Sequence, residues 1–162
     1  MTEARPSTED MTEMEWIKFL GFEPLEAGDG RCVIRLEPRS VHLNHNKTVN
    51  APVLYGIAEV AGAGAVVATM MELAASAYTV VKNASIDYLA PARGTVVATG
   101  TVDAEEFAKG RELVTAGRPA EVAARVEIRD ADERVTTRVD LTMAIRPRRG
   151  TRVPGQGGDH GG

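Results

Sequence analysis

The stretch APVLYGIAEVAGAGAVVATMMEL, residues 51 to 73, decides how this chain folds. It reads as one long helix that is apolar nearly all round and carries one acid in its middle, Glu59. Small residues (Ala58, Ala61, Gly62, Ala63, Gly64 and Ala65) crowd consecutive turns, so neighbouring backbones can come close. A helix that is apolar on every face is expected to be buried on every side. A lone carboxylate in such surroundings costs several kcal/mol unless it is neutralised or partnered. Glu59 is therefore either a structural acid with a partner elsewhere or the working group of a site.

The rest of the composition narrows the setting. A chain of 162 residues fits one domain, and 43% hydrophobic content is enough for a core but low for a membrane protein. The 51–73 helix has the length to cross a bilayer, but Glu59, Glu72 and its small residues make it a poor membrane span. Residues 1–15 carry Glu3, Glu9, Asp10, Glu13 and Glu15 rather than a secretory leader pattern. A single cysteine, Cys32, excludes an internal disulfide framework and fits a reducing cytoplasm. Net charge of −4 gives nothing global to attract nucleic acid. Three histidines and no C-x-x-C leave no dense metal signature. The expectation is a cytoplasmic protein without metal, membrane or nucleic-acid partner.

Working outward, residues 1–14 read as an N-terminal arm and the start of a first helix. Residues 1–6 look frayed, and Ser7 with Asp10 resembles a capping box. Met11, Met14, Ile17 and Leu20 recur at helical spacing up to a stop at Gly21. Asp29-Gly30 predicts a turn joining a strand near Phe22–Ala27 to one at Arg31–Glu37. Residues 38–50 form a polar loop. Beyond the helix, extended segments are expected at Tyr78–Leu89 and Thr95–Phe107, with a connection around 109–119. Val122, Ala124, Val126 and Ile128 then alternate with Glu121, Arg125, Glu127 and Arg129. A last strand has Val135, Thr137, Val139, Leu141, Met143 and Ile145 on one face. The folded domain should span 15–146, and the Gly/Pro/Arg-rich residues 147–162 should be disordered. One buried helix plus five or six half-buried antiparallel strands is solved most simply by a curled sheet wrapped around that helix, an α+β architecture.

Two segments carry a family resemblance: HLNHNKTVNAPVLYGIAEVAGAGA at 42–65 and ASIDYLAPARGTVVATGTV at 84–102. The chain resembles the hotdog-fold acyl-CoA thioesterases, in their small PaaI-like and DUF4442-like branch, over roughly residues 15–146. That resemblance implies an antiparallel sheet around a central helix, assembled as a homodimer or dimer of dimers. By position it gives Asn44 the water-orienting amide, Ala51 the backbone N–H that polarises the thioester carbonyl, and Glu59 the carboxylate base or nucleophile. The seven- and eight-residue spacings between them are those of the family. Asn50-Ala51-Pro52 stands where the family commonly has His-Gly-Gly, and Ala63 where part of it has Ser or Thr. The implied substrate is an acyl thioester of coenzyme A or of an acyl carrier protein, with coenzyme A a part of the substrate and no separate cofactor.

Elementary chemistry supports the same residues. Thioester hydrolysis needs a base or nucleophile, donors for the developing oxyanion, and a held water. Pro52 suits the first turn of a helix, which puts the Ala51 N–H at the positive end of the helix dipole. Apolar surroundings would make a carboxylate more basic. Eight helical residues separate Ala51 from Glu59, a rise of about 12 Å, so one helix does not bring both groups to one carbonyl. Two copies about a two-fold axis do. Asn44 and Asn50 are also normal helix-capping and loop-closing residues, and His42 and His45 read as loop histidines. Candidate substrate contacts are Asn50, His45, Lys82 and Arg93, the last two flanking turns that could line a groove for coenzyme A phosphates. The Arg146, Arg148, Arg149 and Arg152 run is either a solvated tail or a further phosphate contact. Two other readings compete: a hydroxyacyl-thioester dehydratase using His45 with Glu59, as their fourteen-residue spacing suggests, and a non-catalytic acyl-thioester binding protein.

Overall fold

The structure, a computed structural model, describes residues 11–148. The expected frayed arm at 1–6, the capping box at Ser7 and Asp10, and Arg149 and Arg152 lie outside the described residues. Helix α1 (Glu15–Leu20) turns Ile17 inward and stops at Gly21, whose φ of +69° is the left-handed conformation that glycine adopts without strain. Strands β1 (Phe22–Gly28) and β2 (Arg31–Leu36) follow as a hairpin. Its turn residues Asp29 and Gly30 both have positive φ, 49° and 74°, as a tight hairpin turn requires. A 3-10 turn at Ser40–His42 leads through the polar loop into α2 (Ala51–Thr69). The remaining elements are β3 (Ala77–Tyr88), β4 (Val96–Val102), α3 (Ala104–Thr115), β5 (Ala120–Arg129) and β6 (Val135–Pro147).

The strands form one six-stranded sheet in the order β1-β2-β4-β5-β6-β3, with every neighbouring pair antiparallel. Alternation along β2, β4, β5 and β6 aims Ile34, Ala98, Ile128, Leu141 and Met143 at α2, all of them buried. The sheet curls over the helix so closely that a Cβ at Gly100 would run into the Ala61 carbonyl oxygen. Gly64 serves the same purpose on the helix, where a Cβ would lie 2.6 Å from Cys32 Sγ. This is the hotdog arrangement, a curled antiparallel sheet around a central helix.

Three expectations need correction. First, α2 ends at Thr69, and Met71–Leu73 continue as a separate 3-10 turn. Second, α2 is not buried all round. Leu54, Ile57, Ala58, Ala61, Ala65 and Val66 are enclosed, but Ala51 and Pro52 are exposed and Val53, Tyr55, Glu59, Val60 and Ala63 are half-buried. One sheet covers one side of a helix and leaves a stripe of the other open. Third, residues 104–115 are a helix, not the end of a strand and a loop. Asp103 caps it by accepting from the N–H groups of Glu105 and Glu106, both at 3.0 Å. Gly110, which reads as a break, is there because a Cβ would lie 2.7 Å from Val122 Cγ2 on β5. Pro147 also belongs to β6, so the domain runs slightly past the expected boundary at 146.

Candidate functional site

The loop before α2 is tightly built. Leu43 and Val49 form a β-bridge, and Lys47 takes a positive φ of 59° to turn the chain between them. Asn44 closes this turn. Its side-chain oxygen accepts from the Asn46 N–H at 2.9 Å and the Thr48 N–H at 3.2 Å, and its Nδ2 donates to Thr48 Oγ1 at 2.9 Å. The amide is thus largely spent on its own loop, with one N–H left over. His45 stands exposed on the same turn and makes no hydrogen bond among the described residues.

Asn50 occupies the N-cap position of α2, and its carbonyl accepts the N–H of Val53 at 2.9 Å and of Leu54 at 3.1 Å. Its side chain makes no capping bond. The N–H of Ala51 also lacks an acceptor among the described residues. The end of α2 therefore presents two unused donors, a main-chain N–H and a half-buried amide, on the positive side of a 19-residue helix. The turn after β3 abuts this end: Val49 donates to the Ala92 carbonyl at 3.0 Å, and the Tyr88 hydroxyl donates to the Ala51 carbonyl at 3.4 Å. Arg93, next to Ala92, is exposed and its guanidinium has no ion pair among the described residues.

Two turns further on, Glu59 lies on the open stripe, half-buried, with no hydrogen-bond or ion-pair partner among the described residues. Tyr55 sits one turn before it. Burial, and then the nearby Glu59 carboxylate, push the Tyr55 hydroxyl above its usual pKa. Glu59 is thus not fully enclosed by the described residues. Lys82 lies elsewhere. It is six residues before Tyr88 on β3, about 20 Å along the strand, and it is ion-paired to Glu121 at 2.7 Å. Arg146 also reaches Glu121, at 3.7 Å, and the two cations hold that carboxyl below its usual range, Lys82 most strongly.

The structure therefore gathers Asn44, Asn50, Ala51 and the Arg93 turn at one end of α2 and puts Glu59 about 12 Å away on the same helix. Sequence reasoning missed Tyr55 and Tyr88. Tyr55 is signalled by its i, i+4 relation to Glu59; Tyr88 is brought near by strand pairing, which no local pattern reports. Two clefts of the chain lie apart from Glu59. One of about 260 Å³ is lined by Val67, Met70, Leu73 and Ala77, and one of about 610 Å³ lies on the outer sheet face among Arg31, Arg125, Arg129 and Arg138.

The profile of the domain of unknown function DUF4442 matches residues 20–145. The chain belongs to the DUF4442 family. No curated protein matches it in sequence. Among solved structures this DUF4442 chain is similar to a Pseudomonas aeruginosa protein of unknown function, a probable thioesterase, at TM-score 0.74 and 21% identity over 89% of this chain and 93% of that one. It is similar to the E. coli PaaI protein of the phenylacetic acid degradation operon at TM-score 0.65 and 16% identity, covering 83% of this chain and 86% of that one. A mutant of the phenylacetic acid degradation protein PaaI from Thermus thermophilus matches at TM-score 0.63 and 20% identity, over 82% and 99% of the two chains. At these identities the likeness is one of fold.

Proposed function

We propose that this DUF4442 chain is an acyl-CoA thioesterase whose two sites lie between two copies of the chain. The observation that carries the reading is the pairing of unused groups on α2: a Glu59 carboxylate on an open stripe and, about 12 Å away at the helix N-terminus, the Ala51 N–H, each without a partner among the described residues. Among the described residues each group lacks what the other supplies. A two-fold axis beside the stripe sets Ala51 of one copy against Glu59 of its partner. The sheet offers an edge for such an axis. Strand β3 is 12 residues long, is paired on one side only, and exposes Tyr78, Val80 and Tyr88. Assembly as a dimer, or a dimer of two dimers, follows from this reading.

In the assembled site the thioester carbonyl accepts from the Ala51 N–H, where the helix dipole favours the growing oxyanion. Glu59 takes a proton from water as the water oxygen attacks the carbonyl carbon. The tetrahedral adduct collapses, the C–S bond breaks, and the thiolate leaves with the proton that Glu59 returns. Asn44, through its one uncommitted N–H, orients the water. Asn50 and Arg93 border the entrance, where an amide donor and a free guanidinium suit the pantetheine amides and phosphates of coenzyme A. Lys82, His45 and Arg146 are further candidate contacts, Lys82 only from a surface where Glu121 already holds it. Coenzyme A belongs to the substrate, and no separate cofactor or metal is proposed. We place the protein in the cytoplasm. Helix α2 is long and apolar enough to cross a membrane by length and composition, yet half of it is buried within the fold.

The test is release of free thiol from a panel of acyl-CoAs by wild type and Glu59→Gln. The variant keeps the side-chain shape and removes the base, and turnover should fall at least about 100-fold with the dimer intact by light scattering. Wild-type turnover in Glu59→Gln refutes the mechanism. Enoyl absorbance formed from a 3-hydroxyacyl thioester would instead establish the dehydratase reading.

A further inference from the structure

His42 is the one histidine enclosed by the described fold, at 2% exposure, and the chemistry above does not use it. It closes the 3-10 turn through two reciprocal bonds with Arg39: the His42 N–H donates to the Arg39 carbonyl and the Arg39 N–H donates to His42 Nδ1, each at 2.9 Å. Its own carbonyl accepts the N–H of Asn50 at 2.9 Å. Asn50 is the residue whose carbonyl starts α2 and whose neighbour, Ala51, offers the unused N–H. Arg39 reaches back to α1, its guanidinium donating to the Phe19 carbonyl at 3.2 Å. A continuous chain of hydrogen bonds thus runs from the end of α1 through Arg39 and His42 to the start of α2.

We propose that His42 is the positioning residue for the Ala51 donor, holding the start of α2 in register only while its imidazole ring is neutral. An Nδ1 that accepts must carry no proton, so the neutral ring has its hydrogen on Nε2. That Nε2 is buried and completes no hydrogen bond among the described residues, although the Leu20 carbonyl of α1 is near enough to favour a protonated ring. A buried polar atom left without a partner is costly, and an apolar residue would avoid the cost. What an apolar residue cannot supply is an acceptor for the Arg39 N–H. Burial, and then the Arg39 charge, hold the ring below its usual pKa against the pull of the Leu20 carbonyl. Arg39 is the charged group acting on it, and α1 faces it with the Leu20 carbonyl. Protonation sets a second N–H against that of Arg39, and the turn opens.

This inference rests on the proposed site for its catalytic readout, so the experiment carries a second one. Rates of thiol release and amide hydrogen exchange at Asn50 are followed from pH 7.5 to 5 in wild type, His42→Asn and His42→Leu. Asparagine places an acceptor near the Nδ1 position and does not titrate. His42→Asn should keep kcat within about threefold at pH 7.5 and lose the acid limb that wild type shows below about pH 6.5. His42→Leu, which leaves the Arg39 N–H unpaired, should lower kcat and kcat/KM together by about tenfold or more at all pH values. Asn50 exchange protection should fall in acid for wild type alone. Equal pH profiles for wild type and His42→Asn, or full activity in His42→Leu, overturn the proposal. If wild type hydrolyses no thioester, the functional reading fails, and the Asn50 exchange profile still decides the role of His42. If His42→Leu does not fold, the wild-type and His42→Asn comparison decides it.

Discussion

Gly100→Ala should be among the most damaging single-methyl insertions in this protein. The added Cβ would lie 2.5 Å from the Ala61 carbonyl carbon and 2.8 Å from the Gly62 nitrogen, and still closer to the Ala61 oxygen. Ordinary contact begins at 3.4 Å, so β4 and α2 must separate by more than about 0.9 Å, the shortfall from 2.5 to 3.4 Å at the Ala61 carbonyl carbon, since the oxygen lies closer still. Both clashing partners are backbone in the middle of regular elements, so no side-chain rotation relieves the strain. Overpacking of this kind costs about 3 kcal/mol or more, a Tm loss of about 6–12 °C for a chain of this size. Gly62→Ala is the control on the same interface. Its Cβ meets a terminal methyl of buried Leu141 and Val126 Cγ2 at 3.1 Å, side-chain atoms rather than backbone, and alanine recovers about 1 kcal/mol of helix propensity. The net cost should stay within about 1–2 kcal/mol. Ala61 and Gly62 directly follow the turn bearing Glu59, so the displaced helix in Gly100→Ala should also lose kcat. Denaturant unfolding of both variants is the assay. If Gly100→Ala proves no less stable than Gly62→Ala, the sheet does not lie on the helix backbone as described.

Other outcomes follow from the same structure. Asn44→Ala should cost less turnover than Glu59→Gln and about 1 kcal/mol of stability, since most of the amide's bonds close its own loop; melting curves separate the two effects. Ala51→Gly should be tolerated because the donor is main-chain, and His45→Ala should be silent in a thioesterase assay but crippling for a dehydratase. Buried Asp130 titrates below the usual aspartate range: burial pushes it up, but the Arg134 guanidinium at 2.8 Å and the N–H groups of Asp132 and Arg134 outweigh that. A depressed carboxyl stabilises the fold above the unfolded value near 3.9 and loses that stabilisation as pH falls through the folded one. Acid unfolding curves of wild type and Asp130→Asn should therefore differ in slope below about pH 4, and parallel curves would refute the assignment. Val80→Lys puts a charge on the bare β3 edge, and light scattering should then find monomer without thioesterase activity.

Much of the fold is legible in residues 51–73 and in the alternation of β5 and β6, because those patterns record burial directly. The hairpin at Asp29-Gly30 is legible because few residue pairs accept its φ values. Helix α3 is hidden by Gly110, whose reason is a side chain on β5 that sequence order does not place beside it. The open stripe of α2 is hidden for a different reason. Hydrophobicity states that a face prefers cover, but not whether its own sheet or a second copy provides it. At the site, Glu59 stands out as the lone acid of an apolar helix. The engagement of Asn44 in its own loop, the idle Asn50 amide and the distance of Lys82 depend on three-dimensional proximity.

The position of β3 in the sheet also sets a timetable. It is the third strand in the chain, yet its sole partner is β6, the last. During synthesis, residues 77–88 leave the ribosome and must wait for residues 135–147 before they can pair at all. Until then both edges of a 12-residue strand are bare and α2 lacks part of its wall. Pairings this distant in sequence form slowly and leave the waiting segments open to misassociation. The strand whose outer edge is left unpaired in the finished sheet is thus also the segment most exposed while the protein is being made.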